Sequence, residues 1–131
     1  MTQLWNFPGG IHPPENKQQS TARPIRKAGI PERLVLPLQQ HIGAPAEPLV
    51  QPGDKVLKGQ KLADVTSGMG VPVHASTSGT IVGIELLPVP HPSGMSDWCI
   101  VLEPDGDDAW CELSPVADYR KLHRDDVLNL I

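Results

Sequence analysis

The stretch Pro48-Leu49-Val50-Gln51-Pro52-Gly53-Asp54-Lys55-Val56-Leu57-Lys58-Gly59-Gln60-Lys61-Leu62-Ala63-Asp64-Val65 sets three apolar pairs, Leu49/Val50, Val56/Leu57 and Leu62/Val65, around two breaks. The breaks are Pro52-Gly53-Asp54 and Lys58-Gly59-Gln60. Glycine reaches the positive φ that a tight turn needs. An adjacent Asp or Gln side chain can hydrogen-bond the turn backbone. The spacing therefore predicts three short strands joined by two turns, with Gly53, Asp54 and Gly59 as the turn-forming residues.

The same texture continues on both sides. Downstream, Val71-Pro72-Val73-His74-Ala75, then Ser76-Thr77-Ser78-Gly79, then Thr80-Ile81-Val82-Gly83-Ile84-Glu85-Leu86 predict a β-hairpin about Gly79. Residues 87–97 read as a Pro/Gly/Ser loop, 98–103 as another strand and 104–108 as a turn. Upstream, residues 33–38 read as a strand. Residues 119–131 have helical composition, and no Gly, Asn or Pro stop follows Ile131, so that helix reads as cut rather than finished. Pro8, Pro13, Pro14, Pro24 and Pro31 make residues 1–33 an extended arm, because each removes a donor and keeps its neighbour out of helical geometry. The expected organisation is an arm (1–33), a body (34–114) and the start of a helical connection (115–131).

Composition agrees. Fifteen Pro and twelve Gly in 131 residues favour short strands and turns, so the chain is expected to be mostly β. One Phe, one Tyr and three Trp leave the core to Val, Leu, Ile and Ala. The net charge of −4 hides an asymmetry. Residues 1–33 hold Lys17, Arg23, Arg26, Lys27 and Arg33 against Glu15 and Glu32, leaving six basic and thirteen acidic residues in the remainder. Such an arm is either solvated or a contact for nucleic acid, anionic lipid or an acidic partner. The absence of interleaved aromatics speaks against nucleic acid. No window of about 18 apolar residues exists, so no transmembrane helix is expected and membrane association would come through partners. The N-terminus lacks the basic segment and apolar run of a signal peptide, which points to the cytoplasm. Cys99 and Cys111 are too few for a disulfide framework or a zinc knuckle.

The pattern Val50-x-x-Gly53-Asp54-x-Val56-x-x-Gly59-Gln60-x-Leu62, followed by Ala75-x-x-Ser78-Gly79-Thr80-Ile81, resembles the biotinyl/lipoyl carrier fold over residues 47–86. That resemblance implies a barrel-sandwich hybrid, a flattened β-barrel of two pseudo-symmetric four-stranded halves. In carriers the hairpin between the halves presents a lysine for the prosthetic group. Here it reads Val65-Thr66-Ser67-Gly68-Met69-Gly70-Val71, and no lysine stands between Lys61 and Lys121. Covalent biotin or lipoate at that tip is excluded.

Four blocks resemble the RnfC family, the C component of Rnf/Rsx electron transport complexes: Phe7-Pro8-Gly9-Gly10-Ile11-His12-Pro13-Pro14-Glu15-Asn16-Lys17, Leu36-Pro37-Leu38-Gln39-Gln40-His41-Ile42-Gly43-Ala44-Pro45-Ala46, Gly53-Asp54-x-Val56-x-x-Gly59-Gln60 and Val73-His74-Ala75-x-x-Ser78-Gly79-Thr80. The resemblance implies a peripheral protein on the cytoplasmic side of a bacterial inner membrane. Its N-terminal barrel precedes a domain for FMN and NADH and two [4Fe–4S] clusters. Its partners are the membrane subunits of the complex, with NADH and ferredoxin reached through the whole assembly. This stretch contains no G-x-G-x-x-G cradle, and two cysteines cannot supply four cluster thiolates. No cofactor, metal or nucleic acid is expected to bind it, and it is read as a docking and scaffolding domain. The competing readings are a non-redox adaptor of the biotinyl/lipoyl type and the A component of a sodium-translocating NADH:quinone reductase.

Several residues are candidates for interface or structural roles. Gly9 and Gly10 form either a tight turn or a small nest of anion-binding donors. His12, His41, His74, His91 and His123 do not fall at metal-ligand spacings. His41 and His74, inside the family blocks, are expected to orient neighbouring loops by hydrogen bonds. Gly53, Asp54, Gly59 and Gly79 are assigned to turns. Cys99, in an apolar strand, is expected to be buried and inert. Ser78 lacks the G-x-S-x-G elbow of a hydrolase nucleophile, and a turn accounts for it.

Overall fold

The computed structural model describes Gly9, Gly10 and residues 12–130. Seven strands form two sheets. β1 (Leu34–Pro37), β3 (Lys55–Val56), β6 (Gly79–Pro88) and β7 (Ser96–Pro104) make a four-stranded sheet in the order β1-β7-β6-β3. β2 (Glu47–Pro48), β4 (Lys61–Asp64) and β5 (Val73–His74) make a three-stranded sheet in the order β2-β4-β5. Every strand pairing is antiparallel. The chain alternates between the sheets through its first four strands, so the turns at Gly53 and Gly59 hand it from one sheet to the other. This is the barrel-sandwich hybrid expected above, with four and three strands among the described residues rather than four and four.

The core lies between the sheets. Ile81, Ile100 and Leu102 come from the larger sheet and Leu62, Ala63 and Val73 from the smaller, joined by Leu38, Ala46, Val56 and Ala75. Leu62, Ile81, Ile100 and Leu102 have no exposed surface. Burying each such side chain contributes about 1.5–3 kcal/mol. The aliphatic core follows from the scarcity of aromatics.

Both sheets bend at irregularities. The β6–β7 register shifts between Ile81/Leu102 and Gly83/Val101, leaving Val82 as an extra residue, and the β4–β5 register shifts around Leu62. Such bulges add local twist and help a sheet curl. β1 is an edge strand. Leu38 N–H donates to the Trp98 carbonyl at 2.9 Å, so Leu36/Ile100 are hydrogen-bonded partners and Pro37/Cys99 are not. Pro37 thus stands where its missing N–H faces away from β7. Its carbonyl accepts from Gln40 Nε2 at 3.0 Å.

Four sequence readings are corrected. The run about Gly79 is not a hairpin: β5 pairs with β4, and β6 pairs with β3 and β7. Thr77 and Ser78 are buried and bonded to Asp108 and Asp105, which makes this segment a corner between sheets. The 87–97 loop is shorter, because β6 runs through Pro88 and β7 starts at Ser96. The arm contains a one-turn helix, α1 (Gln18–Thr21). The C-terminal helix is broken: a 3₁₀ turn over Tyr119–Lys121 is separated by extended Leu122 and His123 from α2 (Arg124–Asn129). His123 is the N-cap of α2, its Nδ1 accepting from Asp125 N–H at 3.4 Å. The reading of a cut end falls on Ile131, outside the described residues.

Candidate functional site at the lysine-free hairpin tip

The connection between β4 and β5, residues 65–72, occupies the place of the carrier hairpin. Met69 stands there 74% exposed. The tip is tied to the loop that follows β1. Ala44 N–H donates to the Met69 carbonyl at 2.9 Å, and Val71 N–H donates to His41 Nε2 at 3.2 Å. His41 Nδ1 lies 3.0 Å from the Ile42 carbonyl, and Gln39 Nε2 donates to the Gly43 carbonyl at 2.9 Å. With Nε2 accepting and Nδ1 facing a carbonyl, the ring fits these partners as the neutral Nδ1–H tautomer.

Two glycines make this approach possible. A Cβ on Gly43, whose φ is +136°, would stand 2.2 Å from the Met69 carbonyl oxygen. One on Gly70 would stand 2.4 Å from a Val65 methyl and 3.1 Å from the His41 ring. These bonds hold the hairpin against the loop after β1, and no lysine stands on it to carry a prosthetic group. Ile42 (91% exposed), Met69 and Val71 give this end an apolar surface. Beside it, an open cleft of about 990 Å³ runs between the 39–43 loop and the 88–97 segment, lined by Val35, Pro37, Ile42, Val89, Met95 and Asp97 among others.

At the other end of β4 the chain is held by side chains. Ser78 Oγ, fully buried, donates to Asp105 Oδ1 at 2.7 Å and accepts from Ala109 N–H at 2.9 Å. Thr77 Oγ1 donates to Asp108 Oδ1 at 2.8 Å, and Lys58 Nζ reaches Asp108 Oδ2 at 2.6 Å while lying 4.8 Å from the Trp110 ring centre. Backbone bonds Lys58 N–H to Ala109 O and Cys111 N–H to Lys58 O complete the clamp. The Lys58 ammonium, then the Thr77 hydroxyl, hold the Asp108 carboxyl below its ordinary value. The Ser78 hydroxyl does the same for Asp105.

Of the residues singled out from sequence, the structure brings only His41 to the tip. Gly59 and Gly79 lie at the opposite clamp, where a Cβ on Gly79 would stand 2.2 Å from the Glu103 carbonyl oxygen. Gly53 and Asp54 form the turn before β3, Asp54 Oδ2 accepting from Gln51 N–H at 2.9 Å. His74 is exposed on β5, with no side-chain hydrogen bond among the described residues. Gly9, Gly10 and His12 are exposed in the arm, and Phe7, Pro8 and Ile11 of the same block lie outside the described residues. Gly43, Gly70 and Met69 were missed as a unit, although the Gly68-Met69-Gly70 run was a signal for close backbone approach. The Lys58–Thr77–Asp108 group carried no sequence signal, because its members are 19 to 50 positions apart.

Among the described residues, the cysteines and Ser78 stand apart from one another. Cys99 is fully buried in β7, and that burial raises its thiol pKa. Cys111 is half-buried and distinct from it. Among the described residues no three His, Cys, Asp or Glu side chains converge to hold a metal ion, and no helix is long and apolar enough to cross a membrane. Ser78 is enclosed and committed to Asp105 and Ala109.

A barrel-sandwich fold whose hairpin tip is lysine-free and fastened defines a non-carrier domain of the biotinyl/lipoyl-like class. The chain belongs to the RnfC barrel sandwich hybrid domain family, whose sequence model matches residues 5–107. It is 54% identical over 98% of its length to the C component of the ion-translocating oxidoreductase complex of Vibrio cholerae. The corresponding proteins of Serratia proteamaculans and Yersinia pestis are 50% and 48% identical, again over 98% of the chain. The chain spans only 17%, 18% and 21% of the length of these three relatives.

Proposed function

We propose that this domain is a rigid docking and scaffolding module of the RnfC component of an ion-translocating ferredoxin:NAD oxidoreductase, peripheral on the cytoplasmic face of a bacterial inner membrane. The observation that carries the reading is the fastened tip. Where a carrier needs a mobile lysine, this chain has Met69 held to Ala44 and Val71 held to His41. Electron transfer falls steeply with distance, so a module that fixes the spacing of redox groups contributes to rate without touching them. In this reading residues 34–114 are the module, 1–33 an arm for contact with other subunits, and 115–131 a connection toward the flavin-binding region. FMN, NADH and two [4Fe–4S] clusters are assigned to other parts of the full-length protein. The two unlike cysteine environments here do not fit cluster ligation.

The test uses a full-length RnfC protein, with and without the segment equivalent to residues 1–131. NADH oxidation with an artificial acceptor is measured together with recruitment to membranes containing the remaining subunits. Oxidation that survives deletion while recruitment or physiological electron transfer fails supports the proposal. Loss of oxidation by a protein that remains folded and flavin-loaded overturns it, because the domain would then help to build the NADH site.

A further inference from the structure

Every residue from His12 to Arg33 is exposed. Within this arm the cations divide into two kinds. Lys17 pairs with Glu15 at 2.9 Å and Arg33 with Glu85 at 3.6 Å. Arg23, Arg26 and Lys27 pair with no acid among the described residues, and the remaining residues of the chain contain no acidic side chain. These three cations flank Ile25, which is fully exposed at 104% in a segment without helix or strand. Arg23-Pro24-Ile25-Arg26-Lys27 therefore combines three uncommitted positive charges with one unburied branched apolar side chain.

We infer that Arg23, Ile25, Arg26 and Lys27 form a contact for a membrane surface bearing anionic phospholipid headgroups. The guanidinium and ammonium groups meet phosphate oxygens, and Ile25 enters the boundary between headgroups and acyl chains. The segment favours this surface over an acidic protein because a lipid interface accepts scattered cations and one apolar side chain from a stretch without helix or strand and needs no complementary pocket. The acidic body, with six basic and thirteen acidic residues after position 33, opposes approach to the same surface. The arm removes that conflict: the stretch from Arg26 to Leu34 spans up to about 26 Å when extended, and repulsion is screened beyond about 8 Å at physiological salt. The contact acts in addition to recruitment through partner subunits and stands apart from the docking reading, since it needs no other protein.

Flotation of the 131-residue chain with phosphatidylcholine vesicles, with and without about 30 mol% phosphatidylglycerol, tests it. The expected result is a partition coefficient on the order of 100-fold higher on the anionic vesicles, the effect of three basic side chains at such a surface. Raising the salt is expected to weaken binding, R23E/R26E/K27E to reduce it to the neutral-vesicle level, and Ile25→Ser to weaken binding to anionic vesicles while leaving their preference over neutral ones. All variants should keep the parent's urea midpoint, because the arm residues they change are exposed. Equal binding to both vesicles, no binding to either, or full binding by the triple variant overturns the inference. Retention on polyglutamate beads without flotation also overturns it and assigns the segment to an acidic protein.

Discussion

At the tip end of β4 the chain is fastened by a backbone bond that two glycines permit, with one imidazole beside it, whereas at the clamp end a group of side chains does most of the fastening, with two backbone bonds beside it. Gly43 and Gly70 let the loops approach until Ala44 and Met69 share a backbone bond. Ser78, Thr77 and Lys58 instead draw in Asp105 and Asp108 from a segment some thirty to fifty positions away. The first arrangement fails when an atom is added. The second fails when one is removed.

The largest expected effect is at the tip. Gly43→Ala adds a methyl both at a φ of +136° and against the Met69 carbonyl, so a loss of about 3 kcal/mol is expected from backbone strain plus overpacking. Urea denaturation reads the loss, and hydrogen exchange should show residues 66–71 opening first. An unchanged midpoint would mean that the tip is not fastened.

Ser78→Ala attacks the clamp by subtraction. It removes the fully buried hydroxyl that donates to Asp105 and accepts from Ala109 N–H, and losing hydrogen bonds of which one goes to a carboxylate costs about 1–3 kcal/mol. A shift in thermal midpoint of several degrees should follow, with exchange protection lost at Ala109 and retained at Ala44. Loss at both would break the comparison, since the two ends would then unfold as one unit.

His41→Ala removes the side-chain half of the tip and spares Ala44–Met69. One neutral hydrogen bond is worth about 1 kcal/mol, so the loss should fall well below that of Gly43→Ala. A larger loss would make the imidazole, not the glycine contact, the main fastening.

The clamp also predicts a response to acid. Asp108 titrates below 3.8, held down first by Lys58 and then by Thr77. The stability it contributes is present above 3.8 and is lost as pH falls through the lowered folded-state value. Asp108→Asn should therefore lower stability at neutral pH and flatten the decline below about pH 4, as measured by urea midpoints across roughly pH 2–7. An unaltered pH profile would separate the carboxylate from the clamp. The smallest effect is expected for Met69→Lys. Its exposed site should change stability by no more than about 0.5 kcal/mol, and mass spectrometry after incubation with biotin or lipoate ligases should show no adduct.

Much of the architecture was legible. The Pro-Gly-Asp and Lys-Gly-Gln breaks placed the first turns, the missing lysine excluded carrier chemistry, and Cys99 read correctly as buried because its neighbours in β7 are apolar. What was misread shares one cause. Ser76-Thr77-Ser78-Gly79 looks locally like a hairpin turn, yet its partners are Asp105, Asp108 and Ala109. The helix expected from residue 119 was broken at His123, whose side chain caps the turn that follows it instead of continuing a helix. At the tip, His41 was expected to order loops, but nothing local to it names Val71 as its donor, thirty positions away.

By itself, then, the amino-acid order determined what depends on near neighbours: short aliphatic strands, the glycine turns between them, an exposed proline-rich basic arm and a hairpin without a lysine. Only the tertiary structure decided that this hairpin is fastened and that a serine-rich turn is a corner between sheets. Those outcomes depend on which distant segments approach one another. Closure of the two sheets, driven by burial of Leu62, Ile81, Ile100 and Leu102, brings those segments together.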